Sequence, residues 1–170
     1  MDIPDSLQTV ADIGVALAAF SGLIVVLRKD TGPLTPVQKY RLQILLLLAF
    51  GATFLSLLPE LLLTFGITTD GLWWICNAVL TVYSFVFLAW WVSRSRQIRP
   101  ADPGIFNRNA FIRMIVGHAI VLALQIAYLS SATELNGAAV FLAGLFWYLL
   151  HSVQQFTRML FIRSKSDLAQ

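Results

Sequence analysis

The stretch LWWICNAVLTVYSFVFLAWWV, residues 72 to 92, decides the fold. It contains no charged residue and has a tryptophan pair at each end, with Trp73 and Trp90 separated by 17 positions. At about 1.5 Å of rise per helical residue this separation is about 26 Å, close to the distance between the aromatic belts at the two interfaces of a bilayer. The stretch therefore predicts a helix that crosses a membrane.

The remainder of the chain contains four further hydrophobic runs. Of its 170 residues, 58% are hydrophobic and 12% are charged, whereas a soluble domain has about 25% charged residues. A helix needs about 20 apolar residues to cross a bilayer, so five spans and short connections occupy nearly the whole length. The sequence predicts one all-α integral membrane domain, residues 1–170, with a bundle of about five transmembrane helices at 7–27, 42–65, 72–92, 110–129 and 138–162.

The basic residues predict the orientation, because Lys and Arg beside the spans concentrate on the cytoplasmic side. With five spans, all 12 basic residues fall on one side. They are Arg28, Lys29, Lys39, Arg41, Arg94, Arg96, Arg99, Arg108, Arg113, Arg158, Arg163 and Lys165. The opposite side carries only Asp2, Asp5, Asp70 and Glu134. We expect the N-terminus outside and the C-terminus in the cytoplasm, in the inner (plasma) membrane of a bacterium.

Two local features predict the shape of the second span. Thr35 is a suitable N-cap, followed by Pro36 in the first turn and by Gln38 at the capping-box position. Pro59 lies inside the same hydrophobic run and has no N–H to donate, so it should kink the helix.

Polar residues near the outer ends of four spans predict an acidic and polar layer. Glu60, Asp12, Asn77 and Gln125 lie at similar distances from those ends, without a nearby Lys or Arg. Carboxylates in such a place are protonated, solvated or bound to a cation, so these residues are candidates for an ion pathway. A structural hydrogen bond between helices is the alternative for Glu60.

Two rows of polar residues in the second and third spans should point toward other helices. The first row consists of Thr53, Ser56, Glu60 and Thr64, and the second of Asn77, Thr81 and Ser84.

The two histidines are predicted to come together near the middle of the membrane. His118 and His151 lie at nearly the same depth in the fourth and fifth spans, which a short turn joins as antiparallel neighbours. Such a pair can relay protons, bind a metal or hold a haem axially, and it can also consist of ordinary hydrogen-bonded interior side chains. Arg113 and Arg158 lie on the cytoplasmic side of it.

Small residues on the first span predict close helix packing. Gly14, Ala18 and Gly22 recur at intervals of four, a spacing that lets two helix backbones approach. The neighbour is another helix of the same subunit or of a second copy.

The function best supported by these patterns is an oligomeric ion channel or ion-translocating protein. The alternatives are a haem- or metal-binding redox protein that uses His118 and His151, and a non-conducting scaffold or sensor subunit. We expect the lipid bilayer, small ions and further copies of the chain as partners, no nucleic acid, and no resident cofactor outside the haem alternative. Nucleotide-binding glycine loops, HExxH and GxSxG are missing from the sequence, so no catalytic residues are predicted.

Overall fold

The computed structural model describes residues 3–27, 34–98, 108–131 and 134–161; most of these residues are helical and none of them is in a strand. The helices are α1 (Ile3–Leu27), α2 (Pro36–Ser56), α3 (Leu58–Thr64), α4 (Thr69–Ile98), α5 (Arg108–Leu129) and α6 (Gly137–Phe161). Because α2 and α3 together make one span, five helical segments are long and apolar enough to cross a membrane. The predicted all-α architecture, with five helices long and apolar enough to span a membrane, is confirmed.

The helix boundaries follow local hydrogen bonding. The predicted capping box at Thr35 is present: the N–H of Gln38 donates to Thr35 Oγ1 at 3.3 Å, and the N–H of Thr35 donates to Gln38 Oε1 at 3.0 Å. The C-terminal end of α4 is at Ile98, beyond the predicted end at residue 92. The helix does not need to stop where the apolar stretch stops, since its backbone hydrogen bonds continue into the polar segment, where Arg94 donates to Gln97 Oε1 at 2.8 Å.

The predicted kink near Pro59 is a break between two helices. α2 ends at Ser56 and α3 begins at Leu58. A helix face on one side of such a break does not continue on the other side. Thr53 and Ser56 are buried, whereas Glu60 and Thr64 are exposed. The prediction that this whole row points inward is therefore wrong for its α3 half, while the row Asn77, Thr81 and Ser84 is buried as predicted.

α6 is the central helix among those described. It packs against α1, α2, α4 and α5. α1 also packs against α2, and α4 packs against α5, with fewer contacts to α2 and α3. Two groups of three helices result, α1 with α2 and α6, and α4 with α5 and α6. The second group contains most of the buried polar side chains of the spans. The largest fully buried apolar side chains lie on α6, such as Phe141 and Leu145, and on α2, such as Leu45 and Leu48.

Six of the charged residues that predict the orientation lie outside the described ranges. These are Asp2, Arg28, Lys29, Arg99, Arg163 and Lys165. The side chains of Asp70 and Arg108 also lie outside the description. The orientation of the termini stays a prediction.

Candidate functional site

The structure divides the predicted acidic layer. Asp12 is exposed on α1, where the amide of Gln8 donates to its Oδ1 at 2.9 Å. Glu60 is exposed on α3. Asn77 and Gln125 are completely buried. The fold thus brings the two amides of the predicted set together and leaves both carboxylates on the exterior of the chain.

The buried polar side chains form a line along the interface of α4, α5 and α6, which we call the polar row. From the end near the start of α4 to the opposite end, its members are Asn77, Gln125, Thr81, Ser84, Tyr148, His118, His151 and Gln155. All eight are buried, with Tyr148 at 0% and His118 at 1% exposure.

The Asn77 end of the polar row joins all three helices. The amide of Asn77 donates to the carbonyls of Trp73 at 2.8 Å and Gly137 at 2.9 Å. The hydroxyl of Thr81 lies 2.7 Å from the backbone carbonyl of Asn77 and 3.3 Å from Gln125 Oε1, so its single hydrogen can bond to only one of them at a time. At this end, one side-chain amide and one hydroxyl, those of Gln125 and Thr81, are within hydrogen-bond distance of each other.

A pair of hydroxyl groups continues the polar row. Ser84 Oγ lies 2.8 Å from the Leu80 carbonyl and 2.5 Å from the hydroxyl of Tyr148. When Ser84 donates to the carbonyl, Tyr148 donates to Ser84. The ring of Tyr148 is stacked on His118 with a centroid distance of 6.2 Å. Tyr148 therefore connects the hydroxyl groups to the histidines.

The two histidines meet as the sequence predicts. Their ring centroids are 5.2 Å apart and their planes cross at 77°. His118 Nδ1 lies 3.0 Å from the Met114 carbonyl and 2.9 Å from Trp147 Nε1. The amide of Gln155 donates to His151 Nε2 at 3.0 Å. In the neutral His151 ring this bond leaves the proton on Nδ1.

Aromatic rings surround the histidine pair. Phe87 stacks on His118 at 5.5 Å, and Trp91 lies 5.7 Å from His118 and 5.3 Å from His151 between ring centroids. An aromatic face within about 6 Å of a cation attracts it through the ring quadrupole. The surroundings of the pair can therefore stabilise a positive charge that resides on it for a short time.

Several atoms of the polar row have no hydrogen-bond partner in the protein. Among the described residues, five buried side-chain atoms are in this situation, and four belong to the polar row: Asn77 Oδ1, Gln125 Nε2, His118 Nε2 and His151 Nδ1. The fifth is Gln154 Oε1. Leaving one such group unsatisfied costs about 1–3 kcal/mol. Packing alone would favour apolar side chains here, so the polar row is a candidate for function.

Arginines lie beyond the Gln155 end of the polar row. Arg158 is half-buried on α6, one turn beyond Gln155 and two turns beyond His151. Arg41, which is buried, donates to the Arg158 carbonyl at 3.4 Å. Arg113, near the start of α5, is exposed. The histidine pair therefore faces positive charge at this end.

Two of the three predicted packing residues of α1 pack within the chain. A Cβ at Gly14 would lie 2.8 Å from the Ala49 carbonyl and would collide with the Thr53 hydroxyl. Ala18 packs with Leu45 and Ala49 of α2. Gly22 is exposed with open space around it. Gly14 and Ala18 therefore pack against a helix of the same chain. A Cβ at Gly22 would have no neighbour within 4 Å in the described part of the chain.

The sequence did not predict Tyr148 and Gln155 as members of the histidine site, whereas the helical spacing placed Trp147 on the same face as His151. All three lie three or four positions from His151 on α6, which is the spacing that places residues on one helix face. This spacing was the available signal for Tyr148 and Gln155, but a tyrosine and a glutamine in an apolar helix are also common packing residues.

No protein-family model, curated protein or solved structure matches this chain.

Proposed function

We propose that this chain is an ion-translocating membrane protein, that its ion is the proton, and that the proton moves along the polar row. The observation that carries the proposal is the buried histidine pair, with one unpartnered nitrogen on each ring and with exchangeable groups on both sides of it. Ionisable groups inside a transmembrane bundle are costly, and in membrane proteins they commonly mark ion pathways and proton relays.

The chemistry of the polar row suits protons better than larger ions. An imidazole can accept a proton at one nitrogen and release one from the other, and hydroxyl groups such as those of Ser84 and Tyr148 both donate and accept. A metal cation would need several oxygen ligands, and the buried carboxylates that usually supply them are not part of the polar row. Where neighbouring members are further apart than a hydrogen bond, a bridging water would complete the transfer.

The surroundings favour transient charge and oppose permanent charge. The faces of Phe87 and Trp91 stabilise an imidazolium on the pair, whereas Arg158 repels it. A relay needs this balance, because a site that held its proton too firmly would not release it.

The two exposed carboxylates would belong to a second kind of pathway, one formed between the copies of an oligomer. Asp12 and Glu60 lie on the exterior of the chain, so a pathway that includes them would run between copies. A pathway along the polar row needs only one copy. Homo-oligomer formation stays a prediction, and the mass of the protein in detergent measures it.

The test is proton flux into liposomes that contain the purified protein, driven by a potassium diffusion potential and read with an internal pH-sensitive dye. We expect His118→Phe and His151→Phe, which keep an aromatic ring and remove its nitrogens, to lower the flux to that of protein-free liposomes. Glu60→Gln, a change on the exterior, is the control and should conduct like the wild type.

Folded histidine variants that conduct like the wild type would contradict the proposal. Loss of flux in Glu60→Gln instead would favour a pathway between copies. No flux from the folded wild-type protein at any pH would favour the scaffold or sensor alternative.

A further inference from the structure

One nitrogen of His118 faces two groups that it cannot satisfy at the same time. The Met114 carbonyl, 3.0 Å from Nδ1, can only accept a hydrogen bond, and the indole Nε1 of Trp147, 2.9 Å from Nδ1, can only donate one. If Nδ1 carries a hydrogen, it bonds to Met114 and opposes the indole N–H. If Nδ1 is bare, it accepts from Trp147. The position of one proton therefore decides which neighbour is bound.

The indole of Trp147 occupies space that is open only because residue 117, next to His118, is a glycine. A Cβ added at Gly117 would collide with atoms Cζ2 and Cη2 of the indole and would lie 2.8 Å from its Cε2. The indole crosses the His118 ring edge-on at 83° with a centroid distance of 5.7 Å. Any larger residue at position 117 would displace the ring that donates to Nδ1.

The same bond determines what His118 offers to the polar row. With Trp147 donating to Nδ1, the neutral ring carries its hydrogen on Nε2, the nitrogen without another partner in the protein. His151 is in the corresponding state, because Gln155 donates to its Nε2 and the hydrogen resides on the unpartnered Nδ1. Both unpartnered nitrogens then carry hydrogens, so neither ring can accept a proton through them.

We propose that Trp147 is a positioning residue that holds His118 in the Nε2–H form and so restrains proton transfer along the polar row. When the indole N–H leaves Nδ1, a bridging water takes the proton from Nε2 and Nδ1 takes one up from water, so that Nδ1–H bonds to the Met114 carbonyl. Nε2 then becomes a bare acceptor. The ring gains and loses no net proton in this change. The inference rests on the proposed function and names the regulation of the same site.

The test combines a spectroscopic measurement with flux. The chain has only two histidines, so solid-state NMR of 15N-histidine-labelled protein in bilayers shows two rings, and a His118→Asn sample assigns them. Protonated and bare ring nitrogens give separate signals. We expect neutral His118 to carry its hydrogen on Nε2 in the wild type and on Nδ1 in most molecules of Trp147→Phe.

The flux of Trp147→Phe should rise by about fivefold, the population shift that corresponds to the loss of one neutral hydrogen bond. Trp74→Phe is the matched control, because it removes an indole that is 51% exposed, and it should change neither reading. Gly117→Ala, which keeps the tryptophan and displaces it, should shift the tautomer in the same direction and serves if Trp147→Phe does not fold.

A wild-type His118 with its hydrogen on Nδ1, or a folded Trp147→Phe with an unchanged tautomer, would overturn the positioning role of Trp147. A tautomer shift without a rise in flux would overturn the restraint on transfer. If neither wild type nor variant conducts, the proposed function fails, while the NMR result still decides whether Trp147 positions His118.

Discussion

The hydroxyl groups of Ser84 and Tyr148 lie 2.5 Å apart and join α4 to α6 between the amide part and the imidazole part of the polar row. Ser84 also contacts the Leu80 carbonyl at 2.8 Å. A hydroxyl that donates to a backbone carbonyl and accepts from a phenol holds both side chains in one arrangement. The contact therefore bears on the stability of the bundle as well as on proton transfer.

Tyr148→Phe should lower the stability by about 1 kcal/mol, the net value of one hydrogen bond, and should also reduce proton flux because the link to His118 loses its hydroxyl. Tyr83→Phe is the matched control. It removes a hydroxyl that donates to the Leu47 carbonyl at 2.6 Å, outside the polar row. A similar loss of stability with normal flux is expected there. Equal flux in both variants would place Tyr148 outside the pathway.

Gly144→Ala should destabilise the protein by about 1–3 kcal/mol, the usual cost of overpacking. The added Cβ would lie 2.7 Å from Leu80 Cδ2 and 2.9 Å from Gln125 Nε2, inside the polar row. At Gly71 the nearest atom would be 3.7 Å away, so Gly71→Ala should be tolerated. The measurement is thermal unfolding in detergent with a thiol-reactive dye, since the single cysteine, Cys76, is buried until the bundle opens.

Gly14→Leu should destabilise the packing of α1 on α2 by at least about 1–3 kcal/mol, because its side chain would meet the Ala49 carbonyl and Thr53. Gly22→Leu should leave the monomer unchanged, since no atom lies within 4 Å of a Cβ there. The same dye assay and the mass in detergent are the readouts. A change of mass only in Gly22→Leu would show that a second copy packs on α1, and a fully stable Gly14→Leu would contradict the observed packing.

A reporter fused after Gln170 should be cytoplasmic, because all 12 basic residues lie on one side when five helices span the membrane. Reporter activity or protease protection gives the side. A periplasmic reporter would mean that the orientation is reversed or that one helix does not cross.

Purified protein expressed with sufficient haem should show no Soret band. The rings of Phe87 and Trp91 pack against both histidines, with centroid distances of 5.3–6.2 Å. A porphyrin held axially by His118 and His151 would have to displace them. A Soret band that disappears in His118→Ala and in His151→Ala would establish the haem alternative instead.

Features set by local sequence or by position along a helix were predictable from the sequence. The number of spans follows from apolar length, the start of α2 follows from the cap at Thr35, and the break near Pro59 follows from its missing N–H. The approach of His118 to His151 follows from equal depth on two helices joined by a short turn. Each of these predictions needs only the local sequence or the depth of a residue along its helix.

Which way a residue faces was predictable only where a helix is continuous. Asn77, Thr81 and Ser84 share one buried face of α4, but the break after Ser56 takes Glu60 off the face of Thr53. Depth alone placed Asp12 and Glu60 in a layer with Asn77 and Gln125. Packing against other helices sets the rotation of α1 and α3 about their axes. In this rotation both carboxylates lie on the exterior of the bundle.

The central position of α6 has a consequence for biogenesis. α6 packs against four other helices, and it is the last of the five spans to leave the ribosome. Until it inserts, Asn77 and Ser84 on α4 and His118 and Gln125 on α5 lack the surface that covers them in the finished bundle. The first four spans are then an incomplete intermediate with polar groups open to lipid or to the translocon, and such species are prone to aggregate or to be degraded. Cells should therefore retain a chain truncated after α5 at much lower levels than the full chain.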